Sequence, residues 1–360
     1  IHSMGRITTY PHFSDKLKSL TAWLCDSRLP PPQVKRPHWT TFNYDYKLMD
    51  LIWRDGTVEA KSPLELHLPL ARHFGVLDNG TGHPGGVGKV IMKSAWQDPN
   101  ATFAVFKCAP FKYTHDDHDS NSFIIHKKGL LAIDSGMYEN GDWWSHEVNY
   151  AYRTVAHNSI LIYDPNEIFG GSSNIANDGG QRLPQKMYSR NYPKDYAIGG
   201  GRDIGGMVRF ESVEGIYDYM RGDATRAYQS TLFTDGGNKA KISLFTRDFV
   251  YLRSNDGTHD YFVVFDKVVS TDPGLQKKWL LHSIDEPRVN GTFSKGGIDG
   301  KGAANNFGGT PGSISFDSDT VVITEADGKL FSRTIFPQKC AVAKIGGPDA
   351  EGKTNTTGSY

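Results

Sequence analysis

From residue 89 onward the chain reads as a succession of short apolar or alternating runs, each cut off by Gly, Asn or Asp, with no helical stretch between them. The runs fall at 89–96, 101–107, 122–134, 159–163, 208–213, 241–245, 249–253, 261–269, 278–282, 313–316, 320–325 and 329–337. Parallel neighbours need a long crossover between them, usually a helix, so strands this closely spaced predict antiparallel pairing. The expected fold is mainly β, a large antiparallel β-sandwich over residues 81–360. Residues 1–80 read differently. Phe13, Leu17, Leu20 and Leu24 share one helical face, and Pro30-Pro31-Pro32 ends that helix. A second helical run at 46–54 groups Met49, Ile52 and Trp53, and 64–74 is a third candidate. Between them, 35–44 is aromatic and basic. Together these segments read as the last helices of a larger helical domain, too short to be stable alone.

The most chemically loaded segment is Thr114-His115-Asp116-Asp117-His118-Asp119. It precedes a predicted hairpin with strands at 122–126 and 130–134 and a turn at Lys127-Lys128-Gly129. Folding the hairpin brings His118, ahead of the first strand, beside Asp134 at the end of the second. His157 opens the next strand, at 157–163. If that strand pairs next in the sheet, it starts at the same rim. Two imidazoles and a carboxylate at His118, Asp134 and His157 suit a divalent ion, Zn²⁺ first and Mn²⁺ or Ca²⁺ as alternatives, with a coordination position left open. Singly, each residue has an ordinary reading as a solvated or turn residue.

Composition narrows the remaining classes. The 360 residues carry no net formal charge, so any polyanion site must be a local cationic cleft. Arg153, Arg202, Arg209, Arg226 and Lys277-Lys278 are the candidates. No basic stripe with interleaved aromatics points to nucleic acid, and no stretch is apolar and long enough to span a membrane. Cys25, Cys108 and Cys340 are too few and scattered for a disulfide framework. The glycine-rich stretches 198–206 and 296–312 read as loops; neither follows a strand to open a helix, as a phosphate cradle would. Arg221-Gly222-Asp223 spells an adhesion tripeptide, read here as chance in a strand-edge turn. Asn79, Asn100, Asn290 and Asn355 sit in Asn-x-Thr sequons, which matter only in a glycosylating, secretory setting. Both ends of the sequence read as interior to something longer, as in a fragment or a processed chain.

Three blocks resemble the C-terminal half of the heparinase II/III-like polysaccharide lyases. The first runs from His118-Asp119-Ser120-Asn121-Ser122-Phe123 through Asp134-Ser135-Gly136 to Tyr152-Arg153 and Ala156-His157-Asn158. The second is 217–225 with Ala227-Tyr228, and the third is 262–266 followed by 278–282. The resemblance implies an N-terminal (α/α) toroid joined to the sandwich, with residues 1–80 as its remnant and most of it absent from this chain. It further implies β-elimination on an anionic polysaccharide containing uronic acid, and a metal held by His118, Asp134 and His157. Polymers of that kind are met outside the cytoplasm, so a periplasmic or secreted location is expected. The chain departs from the family pattern at Asp116, where a catalytic His is common; His115 lies one residue further back.

Elimination must neutralise the uronate carboxylate, remove the C5 proton and protonate the leaving oxygen. His115 is the candidate for neutraliser or base, and Tyr152 for acid, with Tyr150 competing. Arg153 could meet a substrate carboxylate through its planar fork, or serve as structural partner to Asp134 or Asp119. Because elimination needs no activated water, the metal is expected to organise the loop rather than make hydroxide. Two other readings remain at this stage. One is a non-catalytic carbohydrate-binding sandwich with Trp143-Trp144 as a stacking platform. The other is a cupin-type oxygenase, which lacks the expected His-x-His setting.

Overall fold

The computed structural model describes residues 12–26, 55–79, 86–110, 116–136, 150–168, 177–181, 204–228, 238–254, 258–290, 314–317, 319–338 and 340–344. The chain divides into two compact units, Ile1–Pro69 with Ala95–Asp98, and Leu70–Ser94 with Pro99–Tyr360. In the first, α1 (Asp15–Asp26) opens on Ser14, whose hydroxyl accepts the Leu17 N–H. Thr21 and Ala22 are its buried residues, whereas Leu17, expected on the inner face, is exposed. The anticipated helix at 64–74 is absent. Ser62 and Glu65 make a reciprocal capping box, and Leu66 N–H closes one turn onto Ser62. Pro69 then offers no N–H to continue it. The anticipated helix at 46–54 and the Pro30-Pro31-Pro32 stop lie outside the described residues. Among the described residues no helix is long and apolar enough to cross a membrane.

The second unit is antiparallel throughout. Strands β1 (Ala71–Gly75), β2 (Gly86–Lys93), β3 (Phe103–Lys107), β4 (Ser122–His126) and β5 (Leu130–Ala132) form one sheet in that order. A second sheet runs β10-β9-β8-β7, built from β7 (Gly206–Val213), β8 (Tyr217–Asp223), β9 (Ile242–Arg253) and β10 (Asp260–Ser270). Their inner faces share one core. Val90, Met92, Ala104, Phe106, Phe123 and Ile125 of the first meet Met207, Met220, Phe249 and Tyr251 of the second. Phe249 is the hub: its ring centroid lies 5.5 Å from Phe106, 5.3 Å from Phe123 and 5.6 Å from Phe262. This is the sandwich that the alternation implied.

Smaller sheets complete the unit. Strand β6 (Ile160–Tyr163) pairs with β11 (Gln276–Trp279), β12 (Arg288–Val289) joins β14 (Thr320–Glu325) and β15 (Gly328–Arg333), and β13 (Ile314–Asp317) pairs with β16 (Ala341–Lys344). The expected hairpin turn at Lys127-Lys128-Gly129 is present, and it abuts the turn between β14 and β15. A Cβ on Gly129 would lie 2.1 Å from the Glu325 carbonyl oxygen, and one on Gly328 would lie 2.4 Å from that of Lys127. Only glycine allows this backbone-to-backbone approach. Arg221-Gly222-Asp223 lies within β8, with Arg221 forked onto Asp248 and Gly222 packed against Asn121 and Cys108. The tripeptide is strand, not an edge turn.

Candidate metal centre

Three segments meet at one rim of the sandwich: residues 116–121 ahead of β4, Asp134 after β5, and 150–159 ahead of β6. The expected route to this meeting needs correcting. Strand β6 pairs with β11, not with the hairpin. Loop contacts make the junction instead. Ser135 N–H donates to the Ala156 carbonyl at 2.9 Å, and His118 N–H to the Tyr152 carbonyl at 3.0 Å. The Asn158 amide donates to the Phe123 and Ile133 carbonyls at 2.8 and 2.9 Å, and its oxygen accepts His282 N–H at 2.7 Å. One buried side chain thus ties together β4, the end of the hairpin and the segment after β11. Its carbonyl accepts the Arg247 guanidinium, which forks onto Asp266.

At the rim, donor atoms of Asp117, Asp134 and His157 lie within 4.8 Å of one another. His157 Nδ1 is 2.5 Å from Asp134 Oδ1. The His157 side chain is 2% exposed and that of Asp134 51%, so the group is open to solvent on the Asp134 side. His157 Nε2 is buried and has no hydrogen-bond partner among the described residues. Electrostatics at the rim favour a cation. Burial, reinforced by Asp119 and Asp134, pushes the Asp117 carboxyl up to about 7 against the pull of His157 and Lys107. Burial alone would lower the His157 imidazole, but Asp134, with Asp119 and Asp117 beyond it, raises it to about 9. Lys107 pairs with Asp116 at 2.6 Å and with Asp119. Among the described residues, the carboxylates of Asp116, Asp117, Asp119 and Asp134 therefore lie near one fixed cation, Lys107, and the titratable His157 imidazole. A divalent ion suits this donor set of two carboxylates and an imidazole.

Of the expected ligands, Asp134 and His157 lie together in this group, and Asp117 lies with them. His118 is not in the group. Its ring is 1% exposed, with Nδ1 turned onto the Tyr152 carbonyl at 2.8 Å. Burial and the Arg153 guanidinium lower it to about 3, so it is a neutral ring. Arg153 is fully buried and forks onto Asp178. Its partner is neither Asp134 nor Asp119, and a substrate carboxylate would have to displace Asp178 to reach it. Of the remaining cationic candidates, Arg226 pairs with Asp78 and Arg209 with Glu211. Tyr150 is buried with its hydroxyl on Ser135; Tyr152 is half-buried. His115, Trp143-Trp144 and Arg202 lie outside the described residues. Asp117 does not stand out in the sequence because it is one of five acidic or imidazole residues in succession. Its signal was the position beside His118, on the loop that the hairpin brings to Asp134.

No family model matches the chain, and no curated protein matches it. Solved structures do. A mutant heparan sulfate lyase from Pedobacter heparinus aligns with a TM-score of 0.37 and 12% identity, over 88% of this chain and 37% of that one. A heparinase III aligns at 0.35 and 13%, over 84% and 36%. Its lysine-methylated form aligns at 0.36 and 14%, over 84% and 39%. These are distant structural relationships, and the chain spans well under half the length of the structures it matches.

Chemically, Asp117, Asp134 and His157 can hold a hard or borderline cation and so pin the 116–121 loop to the 150–159 loop.

Proposed function

We propose that this chain is the β-sandwich part of a polysaccharide lyase that acts by β-elimination on a uronic-acid-containing polymer, with a divalent cation held by Asp117, Asp134 and His157. The observation that supports this most directly is the meeting of those three residues where the lyase-like blocks of the sequence converge. A bound cation would neutralise the surplus carboxylates and fix the loop that carries His115. His115 is the proposed neutraliser or base. Tyr152, whose carbonyl anchors His118, is the proposed acid. The rest of the catalytic set would come from a helical toroid preceding the sandwich, and the polymer places the protein in the periplasm or outside the cell.

The test is ultraviolet absorbance of the unsaturated uronate, followed with the full-length parent protein on alginate, heparan sulfate, chondroitin sulfate and hyaluronan, with and without chelator. A rise on one polymer, diminished by chelation and lost in His115→Ala, is expected. Binding of a polymer without any new chromophore would sink the elimination chemistry and leave a carbohydrate-binding module.

A further inference from the structure

We infer that residues 177–181 form a positioning strap for the cation site, gripping both ligand-bearing loops through the Thr154 hydroxyl and the side chains of Asp178 and Gln181. The inference rests on the cation reading above. Its inner side reaches the two loops separately. Asp178 takes Arg153 Nε at 3.1 Å and Nη2 at 2.7 Å, one residue before the Thr154–Ala156 turn that delivers His157. Gln181 N–H donates to Thr154 Oγ1 at 2.8 Å, and that hydroxyl donates to the His118 carbonyl at 2.6 Å. The Gln181 side chain brackets Ser120, donating to its carbonyl at 2.8 Å and accepting its N–H at 3.1 Å. This short segment therefore meets Ser120 on the loop that carries Asp117, and Arg153 and Thr154 ahead of His157, and reaches the His118 carbonyl only through the Thr154 hydroxyl.

The outer side of the strap is fixed just as firmly. The Gly179 carbonyl accepts Ile162 N–H at 2.8 Å from β6. The Lys241 ammonium donates to the Gly179 and Gly180 carbonyls at 3.1 and 2.9 Å and pairs with Glu167. The Asn177 amide ties the strap to the Asp164 and Glu167 carbonyls. Gly180 admits no side chain, because a Cβ there would lie 2.8 Å from Thr154 Oγ1. Arg153, Thr154, Asp178, Gln181 and Lys241 are all 2% exposed or less. Buried ion pairs add little stability over apolar packing of the same volume; their attested use is to fix one arrangement. The Arg153–Asp178 pair, which joins this segment to the loop that carries His157, serves geometry. Neither Asp178 nor Gln181 touches the cation itself, so they act through Thr154 and the loop backbone.

The experiment is titration of the full chain with Mn²⁺ and with Zn²⁺ by calorimetry, together with melting curves with and without cation. Thr154→Val removes the bridging hydroxyl at nearly constant volume, and Thr154→Ser keeps it. Thr154→Val should weaken cation affinity about 10–100-fold, the cost typical of losing such outer contacts, and shrink the cation-induced rise in Tm. Thr154→Ser should restore both. A Thr154→Val protein that melts earlier without cation yet binds with wild-type affinity would overturn the positioning role. Should Thr154→Val not fold, Gln181→Met, which keeps the length and loses both bonds to Ser120, is read on the same scale. Failure of the wild-type chain to bind either cation overturns the cation reading and the strap's role with it, whereas wild-type binding with unaltered variants overturns the strap alone.

Discussion

Asp117 carries the charge imbalance of the rim. Among the described residues Lys107 pairs with Asp116 and Asp119 and His157 with Asp134, and burial raises the Asp117 carboxyl, which a proton or a cation would relieve. Asp117→Asn should therefore leave the chain folded but abolish the rise in Tm that Mn²⁺ or Zn²⁺ produces over chelator-treated protein; a full-size rise in the variant would remove Asp117 from the site. Asn158, two residues past the Thr154–Ala156 turn, does a different job. Asn158→Ala strands two buried carbonyls and one N–H, each costing about 1–3 kcal/mol, and should shift the urea midpoint sharply downward, with no change in slope. At this scale two of the three grouped residues were legible in the sequence. Asp134 and His157 follow from hairpin geometry and a motif. That Asp117 rather than His118 lies within reach of Asp134 and His157 does not, because it depends on how tertiary structure sets the 116–121 loop.

Among the elements, strands whose inward positions are apolar were legible, and those with charge inside were not. β9 reads as two runs because Arg247, fully buried, interrupts the apolar pattern. The inward Arg is tolerated because Asp266 on β10 takes its fork and two carbonyls accept the rest. β8 escaped notice because its inward residues include Asp218, matched to Arg253, and Gly222. β1 falls in a stretch whose sequence predicts helix, because nothing local announces that Pro69 ends the preceding turn in favour of pairing with β2. That strand also carries a pH liability. His73 Nε2 is buried without a hydrogen-bond partner among the described residues, beside the Phe210 ring, and burial lowers the group below its ordinary 6.5. Protonation is thus disfavoured in the folded state. The stability tied to the neutral ring is fully present above pH 6.5 and is lost as pH falls through the folded value. Between neutral and mildly acidic pH the wild-type urea midpoint should drop more than that of His73→Gln; equal drops would clear His73.

For the whole molecule, two sheets share one aromatic core, and the rim chemistry hangs on it. Phe123 begins as a core ring against Phe249 and ends as the carbonyl that Asn158 holds. Phe249→Ala should cost about 3–5 kcal/mol, as for other large-to-small changes in tight cores. Because that core also seats the Asn158 anchor, the variant should weaken cation binding as well; a destabilised protein with unchanged affinity would show that rim and core are decoupled. The sandwich was legible at this scale because alternation and turn chemistry agree along most of its length.

The paired turns at Gly129 and Gly328 carry a consequence for how this protein can vary. They let the β14–β15 turn pack main chain against main chain at the end of the first sheet, where the Glu325 carboxylate accepts the Leu130 N–H. The hairpin's outward side chains, Phe331 among them, take no part in that packing. Over evolutionary time its surface is therefore free to drift and acquire new partners, while the two glycines must persist together or be lost together.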